Sequence, residues 1–68
     1  MARLYFRELR LRRIRHGIEK QEMAKKLECS LGWLSQLELY DYKGPSRDVW
    51  AERYQQALNE MIAERRAS

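Results

Sequence analysis

The stretch MAKKLECSLGWLSQLE, residues 23 to 38, limits the possible folds of this chain more than any other part of it. Met23, Ala24 and Leu27 form a short apolar stripe at helical spacing, and Trp33, Leu34 and Leu37 form a second. Glu28-Cys29-Ser30 stands between them and leaves room only for a tight turn. Two helices that cross directly after such a turn come close together. The crossing needs a small residue in the first helix, here Ala24, and the turn needs a compact apolar plug, here Cys29. The second helix must bury positions three apart, here Leu34 and Leu37, and Ser30 is placed to cap it by accepting a backbone N–H of its first turn.

The rest of the chain must supply a core for this pair, and 68 residues bury a smaller share of their surface than a larger domain does. Chains of this size gain stability from a metal, disulfides, a partner subunit or regular helix packing. Cys29 is the only cysteine and His16 the only histidine, so neither a disulfide framework nor a four-ligand zinc site can form within one chain. Helix packing and self-association remain. No apolar run exceeds three residues, the length of Leu4-Tyr5-Phe6, so neither a membrane span nor a secretory apolar segment is expected. The expected location is the cytoplasm.

Leu4, Leu11, Ile14 and Ile18 recur at helical spacing, widened by Phe6 and Leu9, which predicts a first helix ending before Gly17. A second helix is entered near Glu19, and the third runs from Ser30 to Leu39 or Tyr40. The loop Tyr42-Lys43-Gly44-Pro45 follows. Ser46 is read as the cap of a long fourth helix with Asp48 in its first turn and a stripe of Val49, Trp50, Tyr54, Ala57, Leu58, Met61 and Ile62. The expected fold class is all-α: a small four-helix helix-turn-helix domain with a long C-terminal helix, spanning 1–68 as one unit. The helix-turn-helix is placed at about 19–39 and the C-terminal helix at about 47–66.

The charge is unevenly spread. Residues 1 to 26 hold nine Lys/Arg against three Glu, a net +6, while residues 27 to 68 hold five against seven acids, a net −2. An excess gathered in one third of the chain suits a polyanion such as nucleic acid, or else a solvated helix face. Nothing suggests catalysis. No His–acid pair stands ready to activate a serine, and the acids are scattered along helices, so the chain is not expected to be an enzyme or to need a cofactor or metal.

From roughly Leu11 to Ser46 the sequence resembles the lambda-repressor-like family (phage repressor and Cro, XRE) of DNA-binding domains, carried by GIEKQEMAKKLECSLGWLSQLE and by the KGPS loop. The resemblance implies that Ser30 to Leu39 is the DNA-reading helix and that Leu31, Gly32 and Gln36 face base edges. A helical wheel adds Ser35 to that face. Gln36 can pair bidentately with adenine, Leu31 can touch a thymine methyl, and Gly32 lets the backbone approach the groove. Phosphates would be held by Lys20, Gln21, Lys43 and helix 1 arginines such as Arg12 and Arg13, with Arg3 as a minor-groove arm. Glu28 departs from the family's usual left-handed Gly, and Lys20 from its usual Gln.

The expected function is that of a sequence-specific, double-stranded-DNA-binding transcriptional regulator, a dimeric repressor of phage or mobile-element type on a pseudo-palindromic operator. The alternative is an antitoxin or antiactivator-type interaction module that grips a partner through the C-terminal helix. Trp33 is expected to pack on helix 4, Cys29 to be a small buried group, and His16 to be solvated. A homodimer is expected through Leu58, Met61 and Ile62, on the premise that helices 1 to 3 cover only the first half of helix 4 and leave an apolar patch beyond it.

Overall fold

A computed structural model describes residues 5–40 and 42–67, without the side chain of Ala67. Four helices follow one another: α1 (Phe6–Arg15), α2 (Lys20–Leu27), α3 (Leu31–Leu39) and α4 (Arg47–Ala67). There is no strand among the described residues, and no helix among them is long and apolar enough to cross a membrane. Arg3 and Leu4 lie outside the described residues.

The ends of these helices follow from local chemistry. Ser30 takes the backbone N–H of Trp33 on its hydroxyl at 3.1 Å and starts α3. Glu22 reaches back from the first turn of α2 to accept the N–H of Glu19 at 3.4 Å. Gly17 leaves α1 with φ +71, a conformation that suits a residue without a Cβ. Ser46 departs from its expected role: its carbonyl accepts the Trp50 N–H, but φ is +64, outside the extended backbone of an ordinary N-cap.

The core is one cluster drawn from every helix: Phe6 and Leu9 of α1, Met23, Ala24 and Leu27 of α2, Leu34 and Leu37 of α3, and Ala51, Tyr54, Ala57, Leu58, Met61 and Ile62 of α4, with Ile18 from the α1–α2 connection. Trp33 packs on α4 as expected, its ring 5.7 Å from that of Trp50 and edge-on to Tyr42. Tyr42 folds over Gly44 so closely that a Cβ there would strike its ring, and its hydroxyl donates to the Pro45 carbonyl.

Two expectations about burial are corrected. On α1 the buried side is Phe6, Leu9 and Arg13, whereas Leu11 and Ile14 are 52% and 50% exposed. The helix is rolled so that Phe6 meets Tyr54 edge-on and Arg13 meets an acid, which turns Leu11 and Ile14 outward. On α4, Leu58, Met61 and Ile62 are not an exposed patch but are 0%, 8% and 7% exposed within the single chain. The short helices α1 and α2 lie along the distal half of α4 and are tied there at its edge. Arg65 reaches Glu22 at 2.7 Å and the carbonyls of His16 and Gly17, while Lys26 pairs with Glu60 and Glu64. These residues are therefore core, and the premise for a dimer built on them fails. Val49, expected on the same stripe, faces out at 56% exposure.

A buried polar cluster that the hydrophobic pattern did not reveal sits inside this core. The Arg13 guanidinium donates from Nε to Glu38 Oε2 at 3.0 Å and from Nη2 to Oε1 at 3.1 Å, and its Nη1 donates to the Ile18 carbonyl at 2.6 Å. Tyr54 donates its hydroxyl to the same Glu38 carboxylate and accepts from Arg13 Nε at 3.2 Å. Burial, reinforced by the Glu38 carboxylate, holds the Tyr54 phenol well above its ordinary range, so the hydroxyl stays a donor. The side chain of Glu38 is fully inaccessible and that of Arg13 is 5% exposed, and Arg10 Nε adds a second positive charge 3.8 Å from Oε1.

Glu38→Leu is expected to destabilise the chain by about 3 to 5 kcal/mol, because it leaves the Arg13 charge buried without its partner. Adding Arg13→Met should recover a large part of that loss. Urea unfolding of the two variants checks this; a single variant as stable as the parent would contradict the cluster's role.

Candidate nucleic-acid interface

The outer side of α3 is set by what its inner side buries. Leu34, Leu37 and Glu38 point into the core, so Leu31, Gly32, Gln36, Leu39 and Tyr40 are exposed and Ser35 is half-buried. A Cβ built on Gly32 would meet nothing within 4 Å, so this part of the helix surface is open to a close approach. The four expected base-reading residues thus lie on one helix, exposed except for the half-buried Ser35. Tyr40 and Leu39 extend the face with 77% and 55% exposure and make it more apolar than a groove-reading helix needs.

α3 carries no cation in its last turn and no acid in its first, so the face is electrically neutral. Positive charge comes from its neighbours. Lys20 and Gln21 open α2, half-buried and exposed respectively, and Lys43 is exposed in the α3–α4 loop. Two acids share the start of α2 with Lys20. Glu22 is held below the ordinary carboxylate range, first by the hydrogen bond from Arg65 and then by the Glu19 N–H, so both it and its guanidinium partner are engaged within the protein.

Arg12 and Arg13, grouped in the sequence, part company in the structure. Arg13 is removed as a phosphate ligand: at 4% exposure its donors are spent on Glu38, Tyr54 and Ile18, because a buried guanidinium must be paired. Arg12 is half-buried and lines a cleft against α4. Arg3 lies outside the described residues. The exclusion of Arg13 was detectable in principle, since it falls four residues after Leu9 and seven after Phe6, on the stripe that those two define. Glu38 likewise falls four after Leu34.

The turn that orients α3 has the expected strain. Glu28 has φ 57 and ψ 42, a left-handed residue without glycine's freedom, and its N–H and that of Cys29 close the end of α2 on the carbonyls of Lys25 and Ala24. Cys29 is half-buried against the core, and burial raises its thiol above the ordinary range, with the charge of Arg53 opposing. It is thus a packing group rather than a ready thiolate.

No family model, curated protein or solved structure matches this chain.

Glu28→Gly is expected to raise stability by about 0.5 to 1 kcal/mol, because glycine adopts this conformation without a steric penalty. Thermal unfolding measures the change, and a lower melting temperature in the variant would show that Glu28 contributes more through its side chain than its backbone costs.

Proposed function

We propose that this chain is a non-catalytic regulator of transcription that binds double-stranded DNA through the outer face of α3. The observation that carries the reading is the geometry of the pair α2–α3. Ser30 caps α3 directly after the left-handed Glu28, the helix buries Leu34 and Leu37, and Leu31, Gly32 and Gln36 are left exposed with no neighbouring element over Gly32. A neutral helix face, with Lys20 at the start of α2 and Lys43 exposed in the loop that follows α3, is suited to entering a major groove whose phosphates those lysines would meet. Gln36 is the one bidentate amide on that face, so it is the residue assigned to adenine. With so few base readers, the shape and deformability of the DNA supply the remaining selectivity. The resemblance to the lambda-repressor-like family supports a repressor of phage or mobile-element type working in the cytoplasm.

A homodimer on a pseudo-palindromic site remains part of this proposal, with half-sites about 34 Å apart. Its contact is no longer assigned to Leu58, Met61 and Ile62, which the single chain buries. The same burial removes the surface on which a C-terminal-helix interaction module would rely. A protein-binding alternative shifts instead to α3, where exposed Leu31, Leu39 and Tyr40 favour it.

The test uses the duplex that the chain selects best from a random pool. Gln36→Ala should cost about 1 to 3 kcal/mol on that duplex and relax the preference at one base pair per half-site, whereas Lys43→Ala should weaken all duplexes alike. Fluorescence anisotropy on matched and mismatched duplexes measures both effects. Identical sequence profiles for the two variants would remove α3 from the groove, and failure of the pool to yield any bound duplex would favour the protein-binding alternative.

A further inference from the structure

An open cleft of about 470 Å³ runs between the C-terminal parts of α1 and α4, lined by Arg12, His16, Asn59, Ile62, Ala63 and Arg66. Its volume lies in the range of small-molecule sites, about 300 to 1,000 Å³. Its lining differs in kind from that of two other clefts on the same molecule. Those hold Lys26 and Arg53 with Glu60, and Lys25 and Lys26 with Glu22, Glu28 and Glu64, so each contains its own counter-charge. Among the described residues no carboxylate lines the α1–α4 cleft.

The neighbouring arginines are committed elsewhere. Arg13 is spent on Glu38, and Arg65 on Glu22 and on the carbonyls of His16 and Gly17. Among the described residues neither Arg12 nor Arg66 has a side-chain hydrogen bond or ion pair. Two arginines thus line one cleft with no acid among the described residues beside them, together with a histidine and an asparagine. The Arg65 clamp joins the end of α1 to α4, so this end of the cleft is tied in place before any ligand arrives.

We propose that the cleft is an anion site for a small organic phosphate. The two guanidinium forks match the oxygens of a phosphate monoester, whose charge they would offset. His16 and Asn59 add hydrogen-bonding groups, and Ile62 and Ala63 offer an apolar floor to the body that carries the phosphate. This assignment uses none of the residues of α3, and it shares with the DNA reading only Arg12, which the family resemblance offers to DNA phosphates. A DNA backbone phosphate shares the chemistry, and the experiment separates the two sources.

The full chain is titrated with phenyl phosphate, with inorganic phosphate and with a random-sequence duplex, and amide shifts and heats are recorded. Phenyl phosphate should bind one to one, at least about tenfold more tightly than inorganic phosphate, with shifts centred on residues 12–16 and 59–66. The double variant R12Q/R66Q should bind phenyl phosphate at least about tenfold more weakly with an unchanged melting temperature, since neither side chain is bonded to another described residue. Shifts spread over Lys20, Lys25 and Lys43 with equal affinity in the variant would mean general charge attraction and overturn the site. Absence of phenyl phosphate binding, together with a loss of duplex affinity in the variant, would make the cleft part of a DNA-backbone surface and equally overturn it.

Discussion

The Glu38 carboxylate, buried between Arg13 and the Tyr54 hydroxyl, is the contact on which the arrangement of the helices turns. It joins α1, α3 and α4, and the third arm of Arg13 reaches the Ile18 carbonyl, so the connection into α2 is fixed by the same group. Taking these charges out of water is costly, and a well-packed apolar trio could be as stable. What the ionic version adds is direction. A bidentate pair tolerates little rotation, whereas leucines on one helix can slide against leucines on another. In a core this small, such a pair specifies the roll of α1 and of α3 together, and the roll of α3 decides which residues face outward.

That dependence explains which parts of the structure were legible in the sequence. The start and inner face of α3 are legible because they rest on local chemistry, Ser30 as cap and Leu34 and Leu37 three apart, whereas the left-handed conformation of Glu28 is what the family resemblance implies. The roll of α1 is not legible in hydropathy, since Leu11 and Ile14 look like core and Arg13 does not. Apolar counting cannot see that an arginine has an acid waiting on another helix. The burial of the distal half of α4 is hidden from the sequence for a different reason. Its cover depends on where α1 and α2 cross it, a non-local property set in part by Arg65 and Lys26, whose partners are more than thirty residues away.

The candidate interface inherits both the rigidity and the modesty of this design. α3 presents a neutral, partly apolar face, and the cations that would place it on a phosphate backbone stand on α2 and in the α3–α4 loop rather than on α3 itself. Base recognition on such a face rests on Gln36 and on close backbone approach at Gly32, with position supplied from outside the helix. The basic character of the first third of the chain is also less available than composition implies, because Arg13 belongs to the core.

The most direct test of α3 as the DNA-contacting element is a map of amide chemical-shift changes as the best-selected duplex is added to the full chain. The largest changes should fall on Leu31, Gly32, Ser35 and Gln36, with a second group at Lys20, Gln21 and Lys43. Changes centred instead on Leu11 and Ile14 of α1, or on the α1–α4 cleft with α3 unmoved, would contradict it.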